Sequence, residues 1–322
     1  MDFRDFKTGP NDINRRLDKV IRIFIPDTPL AAIYKSLRKG LIKVNSNKVK
    51  QDYKIQEGDL IQIAAFLLEE KAVEENQNKK PAGLQSSASL SLNPAWIVFE
   101  NEHILIINKP AGISVHSAAP GQVSLQALVQ AYYDSSRKNT SLSFKPGPLH
   151  RIDKYTRGLV CFSMSIRGAQ WFSQNMREHK IKKTYQAILQ GLISSQEKWQ
   201  DRIEETDKNG PQFHTVKVKA LDAAGTESGK ECITNVYPVK SYKKGDFNLT
   251  LANIEIQTGR HHQIRAQAAF HGHPLYGDTA YGGHKNPDKE APFYLVAWKI
   301  AFPRNELGLP PEIELKTLPP LL

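Results

Sequence analysis

The stretch His150-Arg151-Ile152-Asp153-Lys154-Tyr155-Thr156-Arg157-Gly158-Leu159-Val160 sets one carboxylate between two cations and then runs straight into an apolar segment. Its first half reads as a polar turn, and residues 158–162 read as a buried strand. A chain built this way delivers Asp153 to the mouth of a cleft on a rigid element, beside groups able to hold phosphates. Taken alone the segment is equally a surface turn with local ion pairs, so its surroundings decide. Upstream, residues 96–99 and 104–107 read as consecutive strands around Glu100-Asn101-Glu102. Downstream come a helix over 166–177, a strand over 185–189, an alternating strand over 248–256 and a helix over 262–271. Strands and helices do not alternate strictly. The expectation is an α+β domain over residues 93–322, with flanking helices around a mostly antiparallel or mixed β-sheet.

Residues 1–65 have a different character. Leu17, Val20, Ile21 and Phe24 share one face of a helix over 14–24, with Arg15, Lys19 and Arg22 opposite. Pro26 and Pro29 separate it from a second helix whose stripe is Leu30, Ile33, Tyr34 and Leu37. Lys35 and Lys39 lie away from that stripe, and Gly40 is placed to cap it. Short strands at 41–44 and 60–63, with a turn at Asn45-Ser46-Asn47, complete a small domain of helices and a hairpin. Cations opposite the apolar stripe on both helices make Lys19, Arg22, Lys35 and Lys39 candidate RNA contacts; a merely solvated face is the plainer reading. Residues 66–92 turn polar, lose periodicity and read as a flexible linker.

Composition narrows the partner. Among 322 residues, 44 Lys+Arg against 33 Asp+Glu leave a net charge of +11, which favours a polyanion. No apolar run approaches the ~20 residues that span a bilayer, and Asp2, Arg4, Asp5 and Lys7 leave no signal-peptide core. A cytoplasmic protein with no membrane partner is expected. Cys161 and Cys232 are too few and too far apart for a disulfide framework or a metal-binding pair. No phosphate-cradling glycine loop is present, so no nucleotide cofactor is expected.

Two further segments carry possible chemistry. Asn108-Lys109-Pro110-Ala111-Gly112-Ile113-Ser114-Val115-His116 is a strand end followed by a Pro/Gly turn. Thr258-Gly259-Arg260-His261-His262-Gln263-Ile264-Arg265 opens a helix with several hydrogen-bond donors, and His271-Gly272-His273-Pro274-Leu275-Tyr276-Gly277-Asp278 follows it. With the Asp153 segment and Lys182-Lys183-Thr184-Tyr185-Gln186-Ala187-Ile188-Leu189, and in this order, they resemble the RluA-type pseudouridine synthases, which act on ribosomal and transfer RNA. In the front region, Arg16-Leu17-Asp18-Lys19, Leu41-Ile42-Lys43-Val44-Asn45 and Gly58-Asp59 resemble the small RNA-binding module of a small-subunit ribosomal protein and many RNA-modifying enzymes.

The resemblance implies the pseudouridine synthase fold and isomerisation of specific uridines, foremost in large-subunit ribosomal RNA. It places the catalytic aspartate at Asp153, a base-stacking tyrosine at Tyr185, and the basic partner of the carboxylate at Arg265. Arg151 falls where the family's arginine fills the gap left by a flipped nucleotide. Arg157 and His261 depart from the family's usual serine and threonine, and residues 294–298 lack a histidine often found in that strand.

The chemistry needs no redox change, group donor or metal. A carboxylate can attack the sugar or the base, or assist formation of a glycal, and the residues do not choose among these. His261, His262, His271 and His273 fit no standard zinc spacing, so no metal or other cofactor is expected. Lys182-Lys183 and Lys243-Lys244 read as solvated loop pairs. A non-catalytic RNA-binding or ribosome-assembly protein, a synthase directed at transfer RNA, and a glycosidase using Asp153 to cut remain the alternatives.

Overall fold

In a computed structural model of the chain, the described residues are 1–68, 90–117, 121–136, 141–205, 215–221, 228–286 and 292–316. Most of the expected linker, residues 69–89, lies outside them. Contacts divide the chain into two compact units: residues 1–92 with 128–146 and 165–167, and residues 93–127 with 147–164 and 168–322.

In the first unit, strands β1 (Phe3–Lys7), β2 (Ile42–Val44) and β3 (Leu60–Ala64) form an antiparallel sheet in the order β1-β3-β2. Helices α1 (Leu17–Phe24) and α2 (Leu30–Lys39) lie between the first two strands in sequence. Leu17, Val20 and Ile21 of α1 and Ile33 and Leu37 of α2 are buried with Ile42, Val44, Ile61 and Ile63. The helical spacing selects that core, while Lys19, Arg22, Lys35 and Lys39 are exposed. Leu30, expected in the stripe, is 43% exposed at the first position of α2.

Helix α1 begins later than residue 14 because the backbone there is occupied otherwise. Asn14 and Leu17 donate to the carbonyls of Ile55 and Tyr53, and Arg15 accepts from Ile55. Gly40 ends α2 in the left-handed region at φ 74°, as the sequence suggests. Asp12 is fully buried, and residues 141–143 close over it. Its carboxylate accepts from the Ser141 and Ser143 hydroxyls at 2.8 and 2.7 Å and from the Leu142 amide at 2.9 Å.

The second unit is built on strands β4 (Ile97–Glu100), β5 (Ile104–Lys109), β6 (Arg157–Ser163), β7 (Lys182–Gln190), β8 (Glu197–Glu205), β9 (Val216–Ala220), β10 (Lys230–Lys244), β11 (Phe247–Ile256) and β12 (Leu295–Ala301). Their order is β4-β5-β6-β12-β7-β11-β10-β8-β9, with β13 (Glu312–Glu314) paired to β12. Only β12 against β6 is parallel; the other pairings are antiparallel. The fold is therefore α+β around a large, mostly antiparallel mixed sheet. Helix α3 (Leu125–Ser136) falls mostly within the first unit, and helices α4 (Ile166–Arg177) and α5 (Gln263–Phe270) fall mostly or wholly within the second. Phe172 of α4 packs on Ile104, Ile106, Leu159, Cys161, Val296 and Ile300.

The parallel junction depends on one glycine. Gly158 has φ 109°, and a Cβ there would collide with the Ala297 carbonyl oxygen, so β6 and β12 meet at a closeness only glycine permits. Cys161 and Cys232 are both buried and unpaired. Among the described residues no helix is long and apolar enough to cross a membrane.

Candidate active site

Asp153 stands five residues after the Pro148–Phe162 bridge and four before β6 begins. Its loop is tied down from beneath. His150 is half-buried, and its Nε2 accepts from the Cys161 amide at 3.1 Å. That acceptor role requires the unprotonated ring, and burial pushes the His150 pKa down to about 3. Lys109, at the end of β5, is fully buried and donates its three N–H groups to the carbonyls of Pro110, Ile113 and Lys154, each at 2.9 Å. Burial pushes this ammonium down to about 7, and the Asp153 charge works in the opposite direction. Only the charged form has three protons for three carbonyls. The turn after β5 and the residue after Asp153 are thus held by one side chain.

A cavity of about 560 Å³ opens above this loop, lined by Arg151, Asp153, Tyr185, His261, His262 and Arg265 among others. That volume lies in the range that encloses a small-molecule-sized group, such as one nucleotide. Asp153, Tyr185 and Arg265 come from the loop before β6, from β7 and from α5, and the fold brings all three to this one cavity. Tyr185 is 6% exposed. Burial, and then the Asp153 charge, push its phenol above the ordinary range, so it stays neutral at physiological pH. Arg151 is exposed at the rim.

Arg265 makes its strongest bonds away from Asp153. Its Nε and Nη2 donate to the two carboxylate oxygens of Asp278 at 2.6 and 2.8 Å, a bidentate pair. Nη1 donates to His262 Nε2 at 2.9 Å and stands 3.6 Å from Asp153 Oδ2. The Tyr281 and Phe293 rings flank the guanidinium at 4.9 and 4.7 Å. Burial lowers its pKa, but the Asp278 bonds and charge outweigh this and raise it. Asp278 lies in the turn after Pro274, and its side chain is 2% exposed. Its sequence offers only a turn aspartate, with nothing to name its partner.

The Arg265 bond also fixes a tautomer. His262 Nε2 accepts, so a neutral ring carries its proton on Nδ1, which faces the Tyr281 hydroxyl at 2.9 Å. His262 itself sits at φ 53° before α5, an unusual conformation for a residue with a side chain. Behind it runs a buried chain of hydrogen bonds. Gln263 Oε1 accepts from Thr258 Oγ1 and the Arg260 amide at 2.8 and 3.0 Å, while its Nε2 donates to Thr234 at 3.0 Å. Thr234 donates to Gln267 at 2.7 Å, and Gln267 donates to Asp201 at 2.6 Å. His271 closes the chain at 2.9 Å from Asp201, stacked on Trp199.

One expectation for a single residue is corrected. Lys183 is not a solvated loop cation: it stands on β7 two residues before Tyr185, half-buried, and lines the cavity. His261 and His262 lie in the turn before α5, and their ring nitrogens and an Asp153 oxygen lie within 4.8 Å of one another. That donor set would suit a cation by number, yet the Arg265 guanidinium already bonds His262 Nε2 and faces Asp153. A divalent ion placed there would meet a fixed positive charge, so the residues fit a metal poorly.

Comparison with known proteins gives the class. The family model for RNA pseudouridylate synthase matches residues 103–270. The chain belongs to this family, and it is an enzyme that isomerises uridine in RNA. The ribosomal large subunit pseudouridine synthase C of Buchnera aphidicola subsp. Acyrthosiphon pisum (strain APS) is 32% identical over 276 residues, 84% of this chain and 78% of that protein. An RNA pseudouridine synthase of Aquifex aeolicus (strain VF5) is 30% identical over 270 residues, 83% of this chain and 77% of that protein. Among solved structures, human RNA Pseudouridylate Synthase Domain Containing 1 matches with a TM-score of 0.55 at 22% identity. It covers 74% of this chain and 87% of that one, a likeness of fold.

Proposed function

We propose that the chain converts uridines of large-subunit ribosomal RNA to pseudouridine, with Asp153 as the essential carboxylate and without metal or organic cofactor. The observation that carries this reading is the meeting of Asp153, Tyr185 and Arg265 in one nucleotide-sized cavity. The substrate class is supported by relatives named for the large ribosomal subunit and by the net charge of +11.

The geometry supports the roles that the resemblance implies. Asp153 has an oxygen 3.6 Å from Arg265 and His262, so it is oriented but not tightly bonded by either. A carboxylate held this way is available to the sugar or the base. Tyr185 offers the face of a neutral ring on which a flipped base can stack. Arg151 at the rim is placed to contact the strand the base has left. Arg265 holds the positive end of the site, anchored by Asp278. Reaching the base costs a few kcal/mol of unstacking, which phosphate contacts offset.

Asp153→Asn keeps the shape and removes the nucleophile. Release of tritium from carbon 5 of labelled uridine in a ribosomal RNA fragment should fall about a thousandfold or more, with RNA affinity unchanged within about threefold. Near wild-type release by that variant rejects the assignment. Dialysis of the wild-type protein against chelator should leave turnover intact; a large loss restored by zinc would reject the cofactor-free reading. Product mass separates the glycosidase alternative, because isomerisation conserves mass and a glycosidase frees the base.

A further inference from the structure

Two buried cations of this site have partners: Arg265 has Asp278, and Lys109 has three carbonyls. Lys183 has neither. Among the described residues its ammonium has no hydrogen-bond acceptor and no carboxylate at ion-pair distance; the titratable groups near it are Cys161 and His150, and burial keeps both neutral. Lys183 is half-buried, and its ammonium is open to the cavity instead of being held by a protein acceptor. Its position suggests what it meets there. Lys183 and Tyr185 alternate on β7, so both side chains leave the same face of the strand, about 6–7 Å apart along it. Both line the cavity. Nζ reaches toward the 258–262 loop, where a Cβ added to Gly259 would lie 3.7 Å away. The lysine therefore spans the cavity beside the ring on which the base would stack.

We propose that Lys183 is the counter-cation of the departing uracil, touching one of its exocyclic oxygens as the glycosidic bond breaks. The inference rests on the reading of the cavity given above. When N1–C1′ breaks, its electron pair passes to the base, where O2 and O4 share the negative charge. That charge is spent again when C5–C1′ forms, and the proton lost from C5 is matched by one gained at N1. The ammonium keeps its proton throughout and acts only on charge that exists between the two bonds. A fixed donor aimed at transient charge accelerates the step without tightening ground-state binding. Because burial lowers its pKa, this contribution ends on the alkaline side at a lower pH than for an ordinary lysine.

The test uses single-turnover rates and RNA affinities of the full chain with a ribosomal RNA fragment, for wild type, Lys183→Met, Lys183→Arg and Asp153→Asn. Lys183→Met should slow bond breakage about 100-fold with affinity within about threefold of wild type. Lys183→Arg should recover much of the rate and lose the alkaline decline, since guanidinium does not titrate there. A Met variant with an unchanged rate overturns the proposal, as does one that loses affinity alone, which would make Lys183 a phosphate contact. Should Lys183→Met not fold, the pH profiles decide, and identical alkaline limbs in wild type and Lys183→Arg overturn it. An active Asp153→Asn variant would instead reject the underlying reading of the site.

Discussion

Arg265 faces two carboxylates and is bonded bidentately to one of them, and this asymmetry has measurable consequences. Asp278 supplies the permanent counter-charge, which leaves the Asp153 oxygens open to substrate. Substituting Asp278 by Asn leaves a buried guanidinium without its partner, a change that costs about 3–5 kcal/mol when nothing replaces the pair. It should also let Arg265 turn toward Asp153. Urea unfolding is expected to shift to lower midpoint, and the tritium-release rate should fall although Asp278 touches no substrate. Full stability in that variant would show that the bidentate pair contributes little. Asp278 and Arg265 stand 13 positions apart, and Lys109 and Lys154 stand 45 apart, so no local pattern shows that these side chains meet. A buried lysine meeting three carbonyls has no local signature, whereas Asp153 between two cations does.

At the scale of elements, α1 and α2 are joined by one carboxylate. Asp18, in the first turn of α1, accepts from Arg16 at 2.7 and 3.1 Å and from the Tyr34 hydroxyl of α2 at 3.2 Å. The Arg16 hydrogen bond is the main cause of its lowered pKa; burial opposes it. A carboxylate whose folded pKa lies below its unfolded value of 3.8 contributes stability above that pH and loses it as pH falls through the folded value. Asp18→Asn should therefore melt earlier than wild type at pH 7, and the gap should close below about pH 3.8. A gap that persists at pH 2 would assign the loss to packing instead.

Elements with strong local periodicity were the legible ones. The helix over 166–177 appears with those bounds, and the strands over 104–107 and 248–256 appear slightly longer. Phe3–Lys7 was missed because an edge strand with two central charges shows no alternation, and α1 starts late because long-range pairing takes residues 14–16. Nor does any short-range pattern reveal that β12 runs parallel to β6, since that pairing joins residues 139 positions apart at Gly158 and Ala297.

For the whole molecule, charge placement separates the exposed cations of the first unit from the cavity. Lys19, Arg22, Lys35 and Lys39 are exposed on the first unit, while the cavity belongs wholly to the second. We expect the first unit to supply affinity. Each lost phosphate contact lowers the slope of log affinity against log salt by about 0.7–0.9. Replacing all four cations by Gln should weaken binding to a ribosomal RNA fragment and flatten that slope, with the single-turnover rate at saturation little changed. An unchanged slope would remove this surface from RNA binding. A collapsed rate would mean that it also positions the target uridine.

The place of β12 in the sheet has a consequence for how the enzyme is made. Strands β4 to β6 stand on one side of it, and β7, β11, β10, β8 and β9 on the other. Asp153 belongs to the first group, Tyr185 and Arg265 to the second. On a ribosome the chain emerges from its N-terminus, so both halves of the catalytic pocket exist before the strand that joins them has been synthesised. A nascent chain arrested before Leu295 would carry every proposed catalytic group and still be inert, with two open strand edges inviting the wrong partner. The activity of this enzyme on RNA would then begin only once its own translation has passed residue 301.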